Sequence, residues 1–417
     1  MFVLQSIFST RYVLVFLGSL LLFYVAIIFS FRSVMDQLKL SKLRVNFTEL
    51  HGLGKGPINM INNLSMQSLF CLSDPKPIHL TDHYYITENT RMRLVLAYMR
   101  GGSTLTADIV RHTEADFYQF EPLHGITIAV KENRPVQFLN GTIRNITKEE
   151  LESVYTEMIY HWFTCNFKNI DLPGLTDSFI KIFTPEHGKY YSCINPVKTT
   201  KSKLDLVKQC IPILHLKCLE SKTRTLKTIR LTVSMAGKLL KWLPRLQVLH
   251  LIRDPRGIIN SQFEQEITEG KNVSIASKDL CQTMSTNLNS YKELEQCHGS
   301  RMLGVVYENL CQNPFIVVPK IFKFFHSNYS TRVRDFVKKL MQGPVKACDY
   351  CTDRGKALAN AYRWISIIHK NVLKIVDKHC SFLYSNLGYK QLDYNKLNVT
   401  KTSWKSLTSS SIGYRYS

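Results

Sequence analysis

Three short stretches of this chain are apolar without interruption: LVLAYM (94–99), QVLHLI (247–252) and MLGVVY (302–307). A strand covered by helices on both faces reads this way, so each is predicted to be a buried parallel strand. Elsewhere the spacing turns helical. Thr104 to His112 follows the first run as a helix. Thr147-x-x-Glu150 makes a capping box ahead of LESVYTEMIYHWF, in which Leu151, Val154, Tyr155, Met158 and Trp162 share one face. Ala357 to His379 is predicted as one long helix, with Ala361, Trp364, Ile368, Val372 and Ile375 on its buried side and Asn386-Leu-Gly388 as its stop. Strands alternating with helices define an α/β fold around a central, mainly parallel sheet.

The pattern differs at the two ends. Tyr12 to Phe31 is an uncharged apolar run between Arg11 and Arg32, long enough to cross a bilayer core of roughly 30 Å as a helix. It is too long for a signal-peptide core, and no small-x-small cleavage site follows it, so an uncleaved anchor is expected. The organisation that follows is a tail at 1–11, an anchor at 12–31, a stem at 32–90, a catalytic domain at 91–392 and a mobile tail at 393–417 rich in Ser, Thr and Lys. HGLGKGP (51–57) and SDPKP (73–77) are turn material within the stem. Gly52-x-Gly54-x-Gly56 follows no strand and opens no helix, so it is not a nucleotide motif.

Lys and Arg are spread along all 417 residues and give a net charge of +22, which suits an anionic partner such as an acidic glycan or a phosphorylated cofactor. The basic residues Arg32, Lys39, Lys42 and Arg44 would by themselves place the downstream side in the cytosol. Asn-x-Ser/Thr sequons at Asn46, Asn63, Asn140, Asn145, Asn272, Asn328 and Asn398 argue the other way, for a secretory lumen. The eleven cysteines agree, because the lumen permits disulfides. The reading is therefore a single-pass type II protein with a luminal body, which argues against a nucleic-acid partner. An odd cysteine count leaves at least one thiol free or pairing between copies, which admits a homodimer. Cys348-x-x-Cys351 lacks a second half-site for zinc and reads as a structural disulfide pair.

Two stretches carry candidate chemistry. In Arg100-Gly101-Gly102-Ser103-Thr104, the glycines let the backbone turn tightly after a strand. The amides of the helix that follows then point at an anion, and Ser103, Thr104 and Arg100 add donors and charge. In VLHLIRDPRGIINSQ (248–262), a strand ends at Arg253, with Ser261 on the next helix, a pair suited to a second phosphate. A rival reading makes Asp254 a magnesium-holding Walker-B residue, but no Walker-A lysine stands at 100–106.

Together these stretches resemble the paired cofactor motifs of Golgi carbohydrate sulfotransferases, membrane-bound enzymes that sulfate a sugar 6-hydroxyl. Arg100-x-Gly102-Ser103-Thr104 is similar to that family's 5′-phosphosulfate loop. Leu251 to Arg256 with Ser261 is similar to its 3′-phosphate strand and helix. Phe120-Glu121-Pro122, Lys227-Thr-Ile-Arg230, Tyr307-Glu308-Asn309-Leu310 and Cys380 with Leu387-Gly388-Tyr389 continue the likeness in order. Gly101, Leu105, Gly257, Gln262 and Asn309 depart from the pattern, and none removes a charge from the cradles.

The resemblance implies a P-loop-NTPase-like sulfotransferase fold and 3′-phosphoadenosine 5′-phosphosulfate as donor, with no metal. It also implies a Golgi location and a glycan or glycosaminoglycan acceptor, the sugar being GlcNAc, GalNAc or Gal. Arg100, Gly101, Gly102, Ser103, Thr104, Arg253 and Ser261 would bind the donor, with Arg100 also stabilising charge on the leaving group. Glu121 is the candidate general base, with His124 as its rival and Lys227 and Arg230 as candidate orienting cations. Residues 131–225 are expected to shape acceptor choice. Competing classes are a nucleotide-dependent phosphotransferase, opposed by the missing Gly-Lys, and a non-catalytic glycan-binding relative, opposed by the presence of Arg100, Glu121 and Arg253.

Overall fold

A computed structural model describes residues 80, 90–112, 116–268, 270–344, 352 and 355–394. The expected anchor, nearly all of the stem, the C-terminal tail beyond residue 394 and the Cys348/Cys351 pair lie outside the described residues. The chain divides into two units, and everything described here falls in Phe70–Ser417.

The centre is a five-stranded parallel sheet. Its strands are β1 (Arg91–Leu96), β2 (Asp116–Phe120), β3 (Thr223–Thr228), β4 (Leu246–Ile252) and β5 (Met302–Val306), in the spatial order β2-β3-β1-β4-β5. Parallel neighbours need crossovers, and helices supply them. α1 (Ser103–Val110) links β1 to β2. α2 (His124–Lys131), α3 (Leu151–Phe163), α4 (Ser178–Phe183) and α5 (Lys203–Glu220) lie in the long connection from β2 to β3. α6 (Val233–Trp242) leads to β4, and α7 (Pro255–Glu264) and α8 (Val273–His298) lead to β5. α9 (Tyr307–Gln312), α10 (Pro314–Phe324), α11 (Thr331–Gln342), α12 (Ala357–Tyr362), α13 (Trp364–Ile367) and α14 (Lys370–Leu387) complete the described chain.

Strand alternation divides the core in two. Leu94, Leu96, Phe117, Leu226, Val248 and Val306 pack on the side of α3, α5, α6, α8 and α14. Val95, Tyr118, Phe120, Leu249, Leu251 and Val305 pack on the side of α1 and α9 to α12. Both faces are covered, as the uninterrupted apolar runs of β1, β4 and β5 require. β1 starts and ends three residues earlier than predicted. Tyr98 has left the ladder, and its hydroxyl lies 3.2 Å from His250.

β2 and β3 were not predicted as strands. β3 reads Thr-Arg-Thr-Leu-Lys-Thr and is buried throughout, held between β1 and β2. Its charged heads find fixed partners: Arg224 donates to the Phe163 carbonyl at 2.6 Å, and Lys227 meets Glu121. The capping box before α3 is half made, with the Glu150 carboxylate accepting from the Thr147 amide at 2.9 Å.

The long helix predicted over Ala357–His379 is three helices. The chain leaves helical geometry at Ile368 (ψ 128°), and His369 caps the restart by accepting from the Asn371 amide. The break re-phases the buried face. Ala361, Trp364 and Ile368 are buried as expected, but Leu373, Val376 and Cys380 then replace Val372 and Ile375. The stop is where it was expected, at Gly388 in the left-handed region (φ 73°).

Disulfides join Cys165 to Cys218, Cys193 to Cys210 and Cys281 to Cys380. Cys311 is reduced and buried, so it is closed to pairing between copies. The Cys281–Cys380 bridge spans 99 residues and joins α8 to α14. Replacing both of these cysteines with Ser is expected to lower stability by about 2–5 kcal/mol, read as a shift of the urea midpoint.

Candidate active site

All five strands end at one cavity of about 410 Å³. Ligands of open α/β sheets bind outside the carboxyl ends of the strands, where the strand order reverses, and here β1 is at that point. Arg100 and Ser103 come from the end of β1, Glu121 from β2, Lys227 and Arg230 from β3, Arg253 and Ser261 from β4 with α7, and Tyr307 from β5. Thr104 and Gly102 also line the cavity; Gly101 does not.

The first cradle is built by backbone geometry. Arg100 (φ 65°) and Gly102 (φ 88°) take left-handed conformations, while Gly101 closes the turn by donating to the Tyr98 carbonyl at 2.8 Å. Gly102 caps α1, and Ser103 and Thr104 of its first turn, whose amides have no partner within the helix, line the cavity. A Cβ at Gly102 would lie 2.3 Å from the Tyr307 ring, so glycine is required there both by φ and by space.

The second cradle is joined to the first. Arg253 donates to the Arg100 carbonyl at 2.8 Å and lies over the Tyr307 ring. The Arg100 guanidinium donates to the Ser261 hydroxyl at 3.0 Å, and Gln262 donates to the Met99 carbonyl at 3.2 Å. Three buried donors at this end, Arg253 Nε, Asn260 Nδ2 and Trp364 Nε1, have no hydrogen-bond partner among the described residues. All three residues line the cavity. A set of donors without acceptors suits a ligand that brings oxygens, such as a phosphate ester. Asn260 and Trp364 were not singled out from sequence. Asn260 looked like one more polar residue on a helix, and Trp364 lay on a predicted apolar face.

Asp254 does not serve as a magnesium ligand. It caps α7 by accepting from the Arg256 amide at 2.9 Å, and both its oxygens meet the Arg256 guanidinium at 2.9 and 2.7 Å. Arg256 is itself fixed over the Tyr384 ring and on the Lys390 carbonyl, away from the cavity. Behind Arg253, burial and the neighbouring Asp254 push the Glu308 carboxyl up to about 7.

Glu121 stands at the opposite side, at φ 44°, with its amide donating to the Lys227 carbonyl at 2.8 Å. Lys227 holds one carboxylate oxygen and Arg230 the other. Burial works against the Glu121 charge, but these two cations outweigh it and keep its carboxyl below the usual range. Burial in turn lowers Lys227, opposed by Glu121. One turn on, His124 lines the same cavity, with Nδ1 2.6 Å from Asp177 Oδ2. Asp177 lies far from His124 in the chain, and nothing in the sequence pairs them.

Residues 91–366 match the family described as sulfotransferase domain. The chain belongs to that family. Sulfotransferase relatives include carbohydrate sulfotransferase 1 of Danio rerio, 24% identical over 72% of this chain and 78% of the relative. Human carbohydrate sulfotransferase 1 is 25% identical, over 74% of this chain and 81% of the relative. Mouse carbohydrate sulfotransferase 4 is 22% identical, over 76% and 87%. Among solved structures, the sulfotransferase domain of the Synechococcus PCC 7002 olefin synthase is 14% identical with a TM-score of 0.42, covering 73% of this chain and 98% of that one. Mouse sulfotransferase SULT7A1 complexed with PAP is 11% identical with a TM-score of 0.36, covering 73% and 89%.

Within this sulfotransferase domain, Gly102→Ala is expected to cost about 1–3 kcal/mol through overpacking and backbone strain, measured as a lowered denaturant midpoint. Gly141→Ala, at φ 93° with nothing within 4 Å, is the control and should lose only roughly 1 kcal/mol.

Proposed function

We propose that the chain transfers a sulfuryl group from 3′-phosphoadenosine 5′-phosphosulfate to a hydroxyl of a glycan or glycosaminoglycan, the 6-hydroxyl of GlcNAc, GalNAc or Gal. The observation that carries this is a single cavity with donor-rich cradles at one side and a carboxylate across from them. The donor molecule has two anionic ends. The amides of Gly102 to Thr104 and the hydroxyls of Ser103 and Thr104, with Arg100, would receive the phosphosulfate, while the Gly101 amide stays on the Tyr98 carbonyl and shapes the turn. Arg253 and Ser261, with Asn260 and Trp364 beside them, would receive the 3′-phosphate. Carbohydrate as acceptor is supported by the curated relatives.

The chemistry needs alignment and charge stabilisation above all. The acceptor oxygen attacks sulfur in line as the bond from sulfur to the bridging phosphate oxygen breaks. Adenosine 3′,5′-bisphosphate leaves with the electron pair, and Arg100 offsets the charge growing on it. Glu121 takes the acceptor proton, a role typically contributing about 10²–10⁴-fold. Its oxygens are engaged by Lys227 and Arg230, so an incoming sulfonate must compete for those cations and free one oxygen.

The setting proposed is a Golgi membrane, with 1–11 cytosolic, 12–31 spanning, 32–90 a stem and the domain from 91 luminal. Asn140, Asn145, Asn272 and Asn328, the described sequon residues, are all exposed, and the disulfides fit an oxidising lumen.

The test is calorimetry of the full chain with adenosine 3′,5′-bisphosphate, then incubation with radiolabelled sulfate donor and a panel of desulfated glycans. No bisphosphate binding would remove the reading. Glu121→Gln is expected to keep bisphosphate binding and lose at least about 10²-fold in turnover; near-normal turnover would move the base elsewhere. Ser261→Ala is expected to weaken the bisphosphate about tenfold, leaving the acceptor KM unchanged.

A further inference from the structure

The connection from β2 to β3 brings a second polar group and an aromatic wall to the side of the cavity where Glu121 stands. We propose that His124, oriented by Asp177, and the rings of Phe179 and Phe183 form the subsite that holds the acceptor sugar. His124 would accept a hydrogen bond from a ring hydroxyl, and the phenyl rings would pack on the sugar's C–H face. This rests on the sulfotransferase reading above and assigns the acceptor half of the same cavity.

The geometry starts at Glu121. Its carbonyl accepts from the His124 amide at 2.9 Å, so the two side chains leave the chain one turn apart and both line the cavity. His124 Nδ1 lies 2.6 Å from Asp177 Oδ2. Asp177 does not line the cavity, so the imidazole stands between that carboxylate and the open space. The other Asp177 oxygen accepts from the Phe179 amide at 2.8 Å and caps α4, which fixes the carboxylate at both ends. Burial opposes its charge, but His124 and the amides of Phe179 and Ile180 outweigh this and keep the carboxyl below its usual range. An ionised carboxylate only accepts, so Nδ1 carries a proton, and in the neutral imidazole Nε2 presents a lone pair to the cavity.

The wall beside it is apolar and rigid. The Phe179 ring lies 4.7 Å from the His124 ring, and Phe183 stacks on Phe120 at 4.2 Å. All three phenyl rings line the cavity. One placed acceptor against an aromatic surface matches a ligand with a C–H face and hydroxyl edges, which a pyranose has. The cations nearest this wall, Lys227 and Arg230, are already held by Glu121, whereas the cradles opposite carry donors with no partner among the described residues. Asp177, Phe179 and Phe183 fall within 131–225, the stretch expected to set acceptor choice.

The experiment is saturation-transfer NMR on the full chain with adenosine 3′,5′-bisphosphate present. The probes are the methyl β-glycosides of N-acetylglucosamine, N-acetylgalactosamine and galactose. At least one glycoside should bind the wild type. His124→Ala and Phe179→Ala should each weaken it by about tenfold, with bisphosphate affinity unchanged as the check of folding.

Asp177→Asn is the decisive variant. Its carbonyl can still cap α4, but its amide donates to Nδ1, which turns Nε2 from acceptor into donor. It should therefore weaken the glycoside as His124→Ala does, and in turnover raise the acceptor KM with the donor KM unchanged. A residue that only supported the fold would leave that KM split unmoved. No glycoside binding to the wild type, or equal binding to all variants, would overturn the subsite. Loss of bisphosphate binding in the wild type with intact glycoside effects would instead overturn the donor reading and leave this one standing.

Discussion

One guanidinium links the two halves of the proposed anion site. Arg253, at the end of β4, holds the carbonyl of Arg100, at the end of β1, while the Arg100 side chain reaches back to Ser261 on α7. Two loops far apart in sequence thus position each other. The carbonyl would otherwise be an unpaired acceptor beside the proposed anion site, and Arg253 satisfies it. Because β1 is central and β4 lies beside it, this tie needs no long reach. The strand order is what makes the cradle a rigid object.

Across the cavity the constraint is electrostatic. Glu121, Lys227 and Arg230 form a nearly buried cluster of one carboxylate and two cations. Burying such a group is costly, and the attraction within it only offsets part of that cost. The cluster carries a formal excess of one positive charge at the tops of β2 and β3. An anionic ligand of the proposed kind would relieve that excess and take over one of the carboxylate's partners. In the proposed reaction the cost of burial would be partly recovered at the moment of binding.

The parts of this molecule visible in its sequence are those whose signal is local. β1, β4 and β5 were legible because a strand buried on both faces must be apolar. The Arg100–Thr104 loop was legible because strand, glycines and helix follow one another directly. β3 was hidden because Thr, Arg and Lys occupy a buried strand, and the partners that permit this, Phe163 and Glu121, are distant in the chain. β2 was hidden for a related reason: DFYQF mixes polar and aromatic residues, and Gln119 is nonetheless buried. The break at Ile368 has no Gly or Pro to announce it. It re-phases the chain so that Leu373, Val376 and Cys380 face the core, a tertiary demand that overrides a good helical pattern. Asn260, Trp364 and Asp177 acquire meaning only when the fold supplies their neighbours.

The contact between Gly102 and Tyr307 carries a lesson about inheritance. The phenol ring occupies the volume that any larger residue at 102 would need. Divergent descendants of this gene therefore face a coupled choice: a bulkier side chain at 102 becomes tolerable only after the aromatic at 307 has shrunk or swung aside. Lineages that abandon one partner should abandon both, and such paired drift would mark the copies that have stopped using the loop.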